Sequence, residues 1–253
     1  MELIELSPAV LAVTWAAVVL IAFVKGAFGG GLAMVGIPVM SLAMDPLVAG
    51  AVLAPLFLVM DACALLVWRP STWSRREVVP ILPAMLAGTV AGTFLLAVLD
   101  HRAISVLLGI VSIAFFLLWL RGSGRARHDH STPGAMAAGF GSGVTSMVAH
   151  AGGPPLAIYL LGLGLPKGVY AGTTSIVFTI GNIAKVAPWL WLKPPTAPML
   201  WLMAAAAPVI PLAIWAGWRL HNRLDQATVY RLCYGLLALA GVKLLWDGIG
   251  GYL

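Results

Sequence analysis

Five ionisable side chains fall within or beside long apolar runs: Lys25, Asp61, His150, Lys185 and Lys243. Such groups are rare inside membrane spans and are usually functional. Lys25 precedes three consecutive glycines, Gly29, Gly30 and Gly31, and His150 opens a second glycine pair, Gly152-Gly153. Glycine breaks a helix and accepts positive φ, and in lipid the freed backbone groups must find partners in protein or in a water-filled cavity. A glycine break at membrane depth beside a cation therefore suggests an anion site. A helix restarting near Leu32 to Val35 would add its positive dipole end. A tight helix–helix turn without a ligand is the plain alternative.

Each polar residue admits two roles. Lys25 is either the fixed charge of the site or a side chain that snorkels to the interface. His150 is a hydrogen-bond donor or proton carrier, or a turn histidine. Asp61 and Lys185 each stand about 10 Å inside a span end. They are candidates for coupling; Asp61 has Lys185 or Lys25 as a possible partner, and a structural ion pair is the alternative to proton transfer. Thr173, Thr174 and Ser175 begin the densest set of uncharged polar residues in any span, and Ser175, Thr179 and Asn182 share one helical face. Their donors suit an oxyanion, and they equally suit interhelical hydrogen bonds.

The elements that must position these residues are helices in a bilayer. Of 253 residues 61% are hydrophobic and 9% charged, against about 25% charged in a soluble domain. Runs over 9–28, 47–68, 78–98, 103–120, 169–192, 197–218 and 226–246 approach or exceed the roughly 20 residues a spanning helix needs. Gly88 and Gly92 give the third a small-xxx-small face that lets helices approach closely. Shorter helices are expected over 32–44 and 156–165. Cys63 and Cys233 both lie in apolar runs and read as lone packing thiols. With Glu2 and Glu5 and no basic stretch, the N-terminal run reads as a retained first helix.

The pattern occurs twice. Gly30-Gly31 recur as Gly152-Gly153, and Ala49-Gly50 as Ala171-Gly172, both at an offset of 122. Residues 1–121 form a first repeat, 122–133 a hydrophilic linker and 134–253 a second repeat. Each repeat has about five helical segments and one glycine-broken hairpin, a sequence mark of secondary transporters. The loops 69–77, 121–130 and 219–225 hold eight of the fifteen basic residues, which makes them cytoplasmic. The expected fold is thus an all-α polytopic membrane protein of two inverted repeats, with both termini periplasmic.

Several functions are argued against. Basic residues confined to short loops report topology rather than nucleic-acid binding. There is no G-x-x-x-x-G-K-[ST] cradle, no metal-ligand spacing among the five histidines and no nucleophile–base set. The chain reads as neither an ATP-driven pump nor an enzyme, with no cofactor.

The run Lys-Gly-Ala-Phe-Gly-Gly-Gly-Leu-Ala-Met-Val-Gly-Ile-Pro from Lys25 to Pro38 resembles the first glycine-rich motif of the sulfite exporter TauE/SafE family, also called toluene-sulfonate uptake permeases. His150-Ala-Gly-Gly-Pro-Pro-Leu-Ala157 is similar to the family's repeated motif, and Ala171-Gly172-Thr173-Thr174 also fits. The resemblance implies a bacterial inner-membrane transporter of sulfite, an organosulfonate or a related organic acid. With the residues above, it gives a secondary transporter of a small anion. The expected binding set is Lys25, Gly29, Gly30, Gly31, His150, Gly152, Gly153, Thr173, Thr174, Ser175 and Asn182, with Asp61 and Lys185 as coupling candidates. The membrane potential tilts the direction toward export. Protons are the candidate coupling ion and a homodimer the candidate assembly. An anion channel and a non-transporting accessory membrane protein are the rivals.

Overall fold

In a computed structural model the chain is described over residues 7–30, 39–40, 43–44, 46–95, 101–121, 128–149, 152–192 and 194–249. Among these residues all regular structure is helical. Helix α1 (Pro8–Phe28) starts where the Ser7 hydroxyl accepts from the Val10 amide at 3.2 Å, with Pro8 at a position where its missing N–H is no loss. It stops at Gly29, whose φ of 77° makes a left-handed cap and whose N–H returns to the Lys25 carbonyl at 3.0 Å. Helices α2 (Pro46–Val67), α3 (Arg75–Leu95) and α4 (His101–Arg121) complete the first half. The second half holds α5 (Thr132–Ala149), α6 (Gly153–Gly162), α7 (Lys167–Leu192), α8 (Ala197–Ala206), α9 (Ile210–Arg223) and α10 (Gln226–Ile249).

Among the described residues five stretches are long and apolar enough to cross a membrane, Pro8–Phe28, Val48–Val67, Arg75–Leu95, Ala197–Arg223 and Gln226–Trp246, and the expected runs 103–120 and 169–192 are not among them. The chain is a multi-pass membrane protein. Two expected boundaries move. The span placed at 197–218 runs on to Arg223 and tightens into a 3-10 turn over Ala207–Val209, where Pro208 and Pro211 supply no backbone donor. The short helix placed at 156–165 begins at Gly153, because Pro154 and Pro155 fit the first turn of a helix. Most of the short helix placed at 32–44 lies outside the described residues.

The helices pack chiefly as α1 with α9, α3 with α5, α2 with α7 and α4 with α10. Exchanging the two halves carries the first pairing onto the second and returns each of the others to itself. Glycine sets the close approaches. A Cβ on Gly26 would strike the Ile214 carbonyl, and one on Gly217 the Phe23 carbonyl. The expected Gly88/Gly92 face packs α3 on α5: Gly88 lies against the Phe140 carbonyl and Gly92 against Val144 and Met147, while Gly143 meets the Met85 carbonyl from the other side. With no hydrophobic drive between helices in lipid, such backbone proximity is what holds them together.

The polar loops gather at one end of the bundle. The Ser74 amide donates to Thr173 Oγ1 at 2.8 Å, and the His128 amide to the Gly162 carbonyl at 3.0 Å. Lys167 Nζ donates to the carbonyls of His221, at 2.8 Å, and Leu224. The start of α5 and the end of α6 therefore lie side by side, so the second glycine break is the tip of a hairpin that enters and leaves at one end. Loops 69–77 and 219–225 share that end. The linker histidines are not simply solvated, as their hydrophilic surroundings suggest. His130 is half-buried and bonds Glu77 at 2.7 Å, Tyr159 OH donates to the other Glu77 oxygen at 2.8 Å, and the His128 ring stacks on Tyr159. Glu77 is buried, and the two partners satisfy its carboxylate.

Candidate functional site

Lys25 lies one turn before the end of α1. Its ammonium pairs with the Asp61 carboxylate of α2. The two residues are 2% and 1% exposed, so Lys25 does not snorkel to an interface. The last turn of α1 is fixed by side chains that donate to its carbonyls. Trp68 Nε1 donates to the Lys25 carbonyl at 3.3 Å, and His221 Nδ1 meets the Ala27 carbonyl at 2.6 Å. The Trp68 and His221 rings pack edge to face at 4.8 Å. Carbonyls at a helix end need such partners when buried.

Asn182 of α7 donates its amide to the second Asp61 oxygen at 2.7 Å. Less than a turn further on, Lys185 Nζ donates to the Ser146 hydroxyl of α5 at 2.7 Å. The Phe57 ring on α2 serves both cations, with its centroid 5.2 Å from Lys25 Nζ and 5.9 Å from Lys185 Nζ. Phe57, Asn182 and Lys185 line a crevice completed by Gly50, Ala54 and Trp189. It is water-sized, and its walls are mostly apolar.

Two regular faces build this arrangement. Gly50, Ala54, Phe57 and Asp61 recur at steps of three and four along α2, and Asn182, Lys185 and Trp189 do so along α7. Among the described side chains here, two ammonium groups face one carboxylate. Asp61 answers Lys25, and Lys185 has only a neutral hydroxyl, so with both lysines protonated the cluster holds one positive charge more than its carboxylate can pair. A buried charge without a counter-ion is costly, and a small anion in the crevice would complete the set.

Both glycine breaks touch this cluster. Gly30, with φ 98°, lies against the Lys25 side chain, where an added Cβ would be 2.9 Å from Cγ. Gly152 lies against Ser146, where an added Cβ would be 2.7 Å from the Ser146 Cβ, and its carbonyl accepts from Ser142 Oγ at 2.6 Å. Each break thus supports one side chain of the cluster, Lys25 in the first half and Ser146 in the second. Gly29 is spent on backbone approach, against the Ala171 carbonyl. Gly153 opens α6. Gly31 and His150 lie outside the described residues.

The hydroxyl set on α7 divides. Thr173 accepts from the Ser74 amide at the loop end, about 13 Å along the helix from Asn182, so it ties down a loop and does not join the cluster. Thr179 donates to its own helix, to the Ser175 carbonyl at 2.8 Å. The Thr174 and Ser175 hydroxyls are buried and have no hydrogen-bond partner among the described residues. Ser146, Phe57 and Trp189 are the residues that sequence reasoning missed. Stepping back from Asp61 by three and four residues finds Phe57, Ala54 and Gly50. Nothing in the sequence singles out Ser146 from the other hydroxyls of α5.

A helical bundle of this length and apolarity, with a crevice between α2 and α7 lined by Asn182 and Lys185, defines a multi-pass membrane protein with a polar cluster in its interior. The family model described as sulfite exporter TauE/SafE matches residues 14–244, and the chain belongs to that family of membrane transporters. Comparison with curated proteins and with solved structures returns no match.

Proposed function

We propose that this protein is a secondary carrier that exports a small monovalent anion, such as sulfite as its singly charged form, an organosulfonate or a related organic acid, across the bacterial inner membrane. The observation that carries this reading is Lys185, buried and bonded among the described residues to the neutral Ser146 hydroxyl, at a water-sized crevice that it lines together with Asn182, the amide partner of the Lys25–Asp61 pair. A continuous channel would need an open path there. The pairing pattern, unchanged when the halves are exchanged, supports two inverted repeats moving against each other around the site. With the inside negative, the potential favours outward movement of an anion by about 2.3 kcal/mol per charge per 100 mV.

A thermal-shift screen against sulfite, taurine, sulfoacetate and acetate tests the reading. A ligand held only by the folded state stabilises it by about 2.7 kcal/mol at 100 times its Kd, so one or more of the anions among them should raise the melting temperature by about 5 °C or more, and the zwitterion taurine should do so less. Lys185→Met should erase the shift. A shift that survives in Lys185→Met would move the site elsewhere.

Orientation follows from the arginine-rich loops. A cysteine placed at the exposed Ser71, in a background lacking Cys63 and Cys233, should be protected from an impermeant thiol reagent added to whole cells and should react once the membrane is permeabilised. Labelling from outside would reverse the topology.

A further inference from the structure

We propose that Asp61 is a built-in competitor of the substrate, occupying Lys25 while the carrier is empty and yielding that ammonium to the anion during the transport cycle. This rests on the anion-carrier reading above and assigns the residue that sets its affinity.

Three observations converge on Asp61. Its carboxylate is the kind of acceptor that a small oxyanion offers, and it takes the donors such a ligand would need: the Lys25 ammonium through Oδ1 and the Asn182 amide through Oδ2. Asn182 also lines the crevice, so Asp61 is one side chain removed from the space a ligand enters. Lastly, that space is water-sized and the pair is sealed, so an anion larger than water gains full access only when the pair rearranges.

The charges explain why such a rearrangement is feasible. Opening a buried ion pair with nothing to replace it leaves two unpaired charges in a medium that solvates neither. An anion that first pairs with Lys185 brings a second negative charge into the cluster. Two ammonium groups then face two anions, and Lys25 and Asn182 can pass from one oxyanion to another with every charge still matched. The step is available only when the substrate is present. The empty carrier keeps its pair closed, which is the behaviour of a gate rather than a leak. Phe57, beside both ammonium groups, gives each a partial partner during the exchange.

Two variants with opposite expected signs test this, read as sulfite binding to the detergent-purified full chain by tryptophan fluorescence, since Trp189 lines the crevice. Asp61→Asn removes the competitor and frees Lys25, so sulfite should bind about tenfold more tightly than to the wild type. Turnover in proteoliposomes should fall, because the ligand is not displaced. Lys25→Arg keeps the charge but grips the carboxylate with a two-pronged fork, so sulfite should bind several-fold more weakly. A purely structural pair predicts a lowered melting temperature for Asp61→Asn with unchanged or weaker binding, and no change of affinity for Lys25→Arg. Either of those affinity results overturns the competitor role. If Asp61→Asn does not fold, Lys25→Arg decides alone. Absence of binding to the wild type would instead overturn the anion-carrier reading.

Discussion

Lys25→Met is expected to cost about 3–5 kcal/mol of stability and to abolish transport, because it strands the Asp61 carboxylate in the protein interior. Were Lys25 at the interface, methionine there would be close to silent. Its ammonium is instead buried beside Phe57 and bonded to Asp61, and the only other bond that the described residues give Asp61 comes from the neutral Asn182 amide. Adding Asp61→Asn should recover most of the folded protein, since the double variant leaves no unpaired charge at that point. Recovery of a monodisperse peak in detergent, compared across wild type, single and double variants, is the measurement. A Lys25→Met protein with wild-type yield and melting temperature would contradict the ion pair as described.

Gly29→Leu is expected to remove the folded protein, with recovery several-fold or more below wild type. Gly29 holds φ at 77°, and any Cβ there would run into the Ala171 carbonyl. Left-handed strain alone costs of order 1–3 kcal/mol for a residue with a side chain, and a backbone carbonyl cannot swing aside as a side chain can. Gly30→Leu makes the informative contrast. Its φ of 98° is also strained, but the obstacle is the flexible Lys25 methylene chain. That variant should keep more of its folded protein, because the Lys25 stem can shift while its ammonium stays on Asp61, and should slow transport by crowding Lys25. Equal recovery of the two variants would mean that the Ala171 approach is unimportant to the fold.

Much of the fold is legible in the sequence because lipid leaves few choices. Long apolar runs must be helices, and the glycines and prolines mark their ends, as Gly29 does for α1. Gly88 and Gly92 declare a close packing face, and that face does meet α5. The identity of the partner is not legible, because backbone-to-backbone approach depends on both helices at once. The site follows the same division. Lys25, Asp61, Asn182 and Lys185 stand out because charge and amide groups are conspicuous in apolar runs. Ser146 does not, because membrane helices use serine freely, and only the reach of the Lys185 side chain from α7 to α5 gives it a role. Thr173 stands apart for the opposite reason: its chemistry suits an anion, but nine residues of helix separate it from Asn182 and place it at the loop end.

The most direct test of the central claim is sulfite efflux from proteoliposomes holding the purified protein, with an inside-negative potential imposed. Wild-type protein should show saturable efflux that grows with the potential. Lys185→Met should be slower by about 30-fold or more at low sulfite, corresponding to the roughly 2 kcal/mol or more at stake when a buried charged partner is removed. Efflux that is saturable and equally fast in Lys185→Met would contradict the account, as would wild-type efflux indistinguishable from empty liposomes.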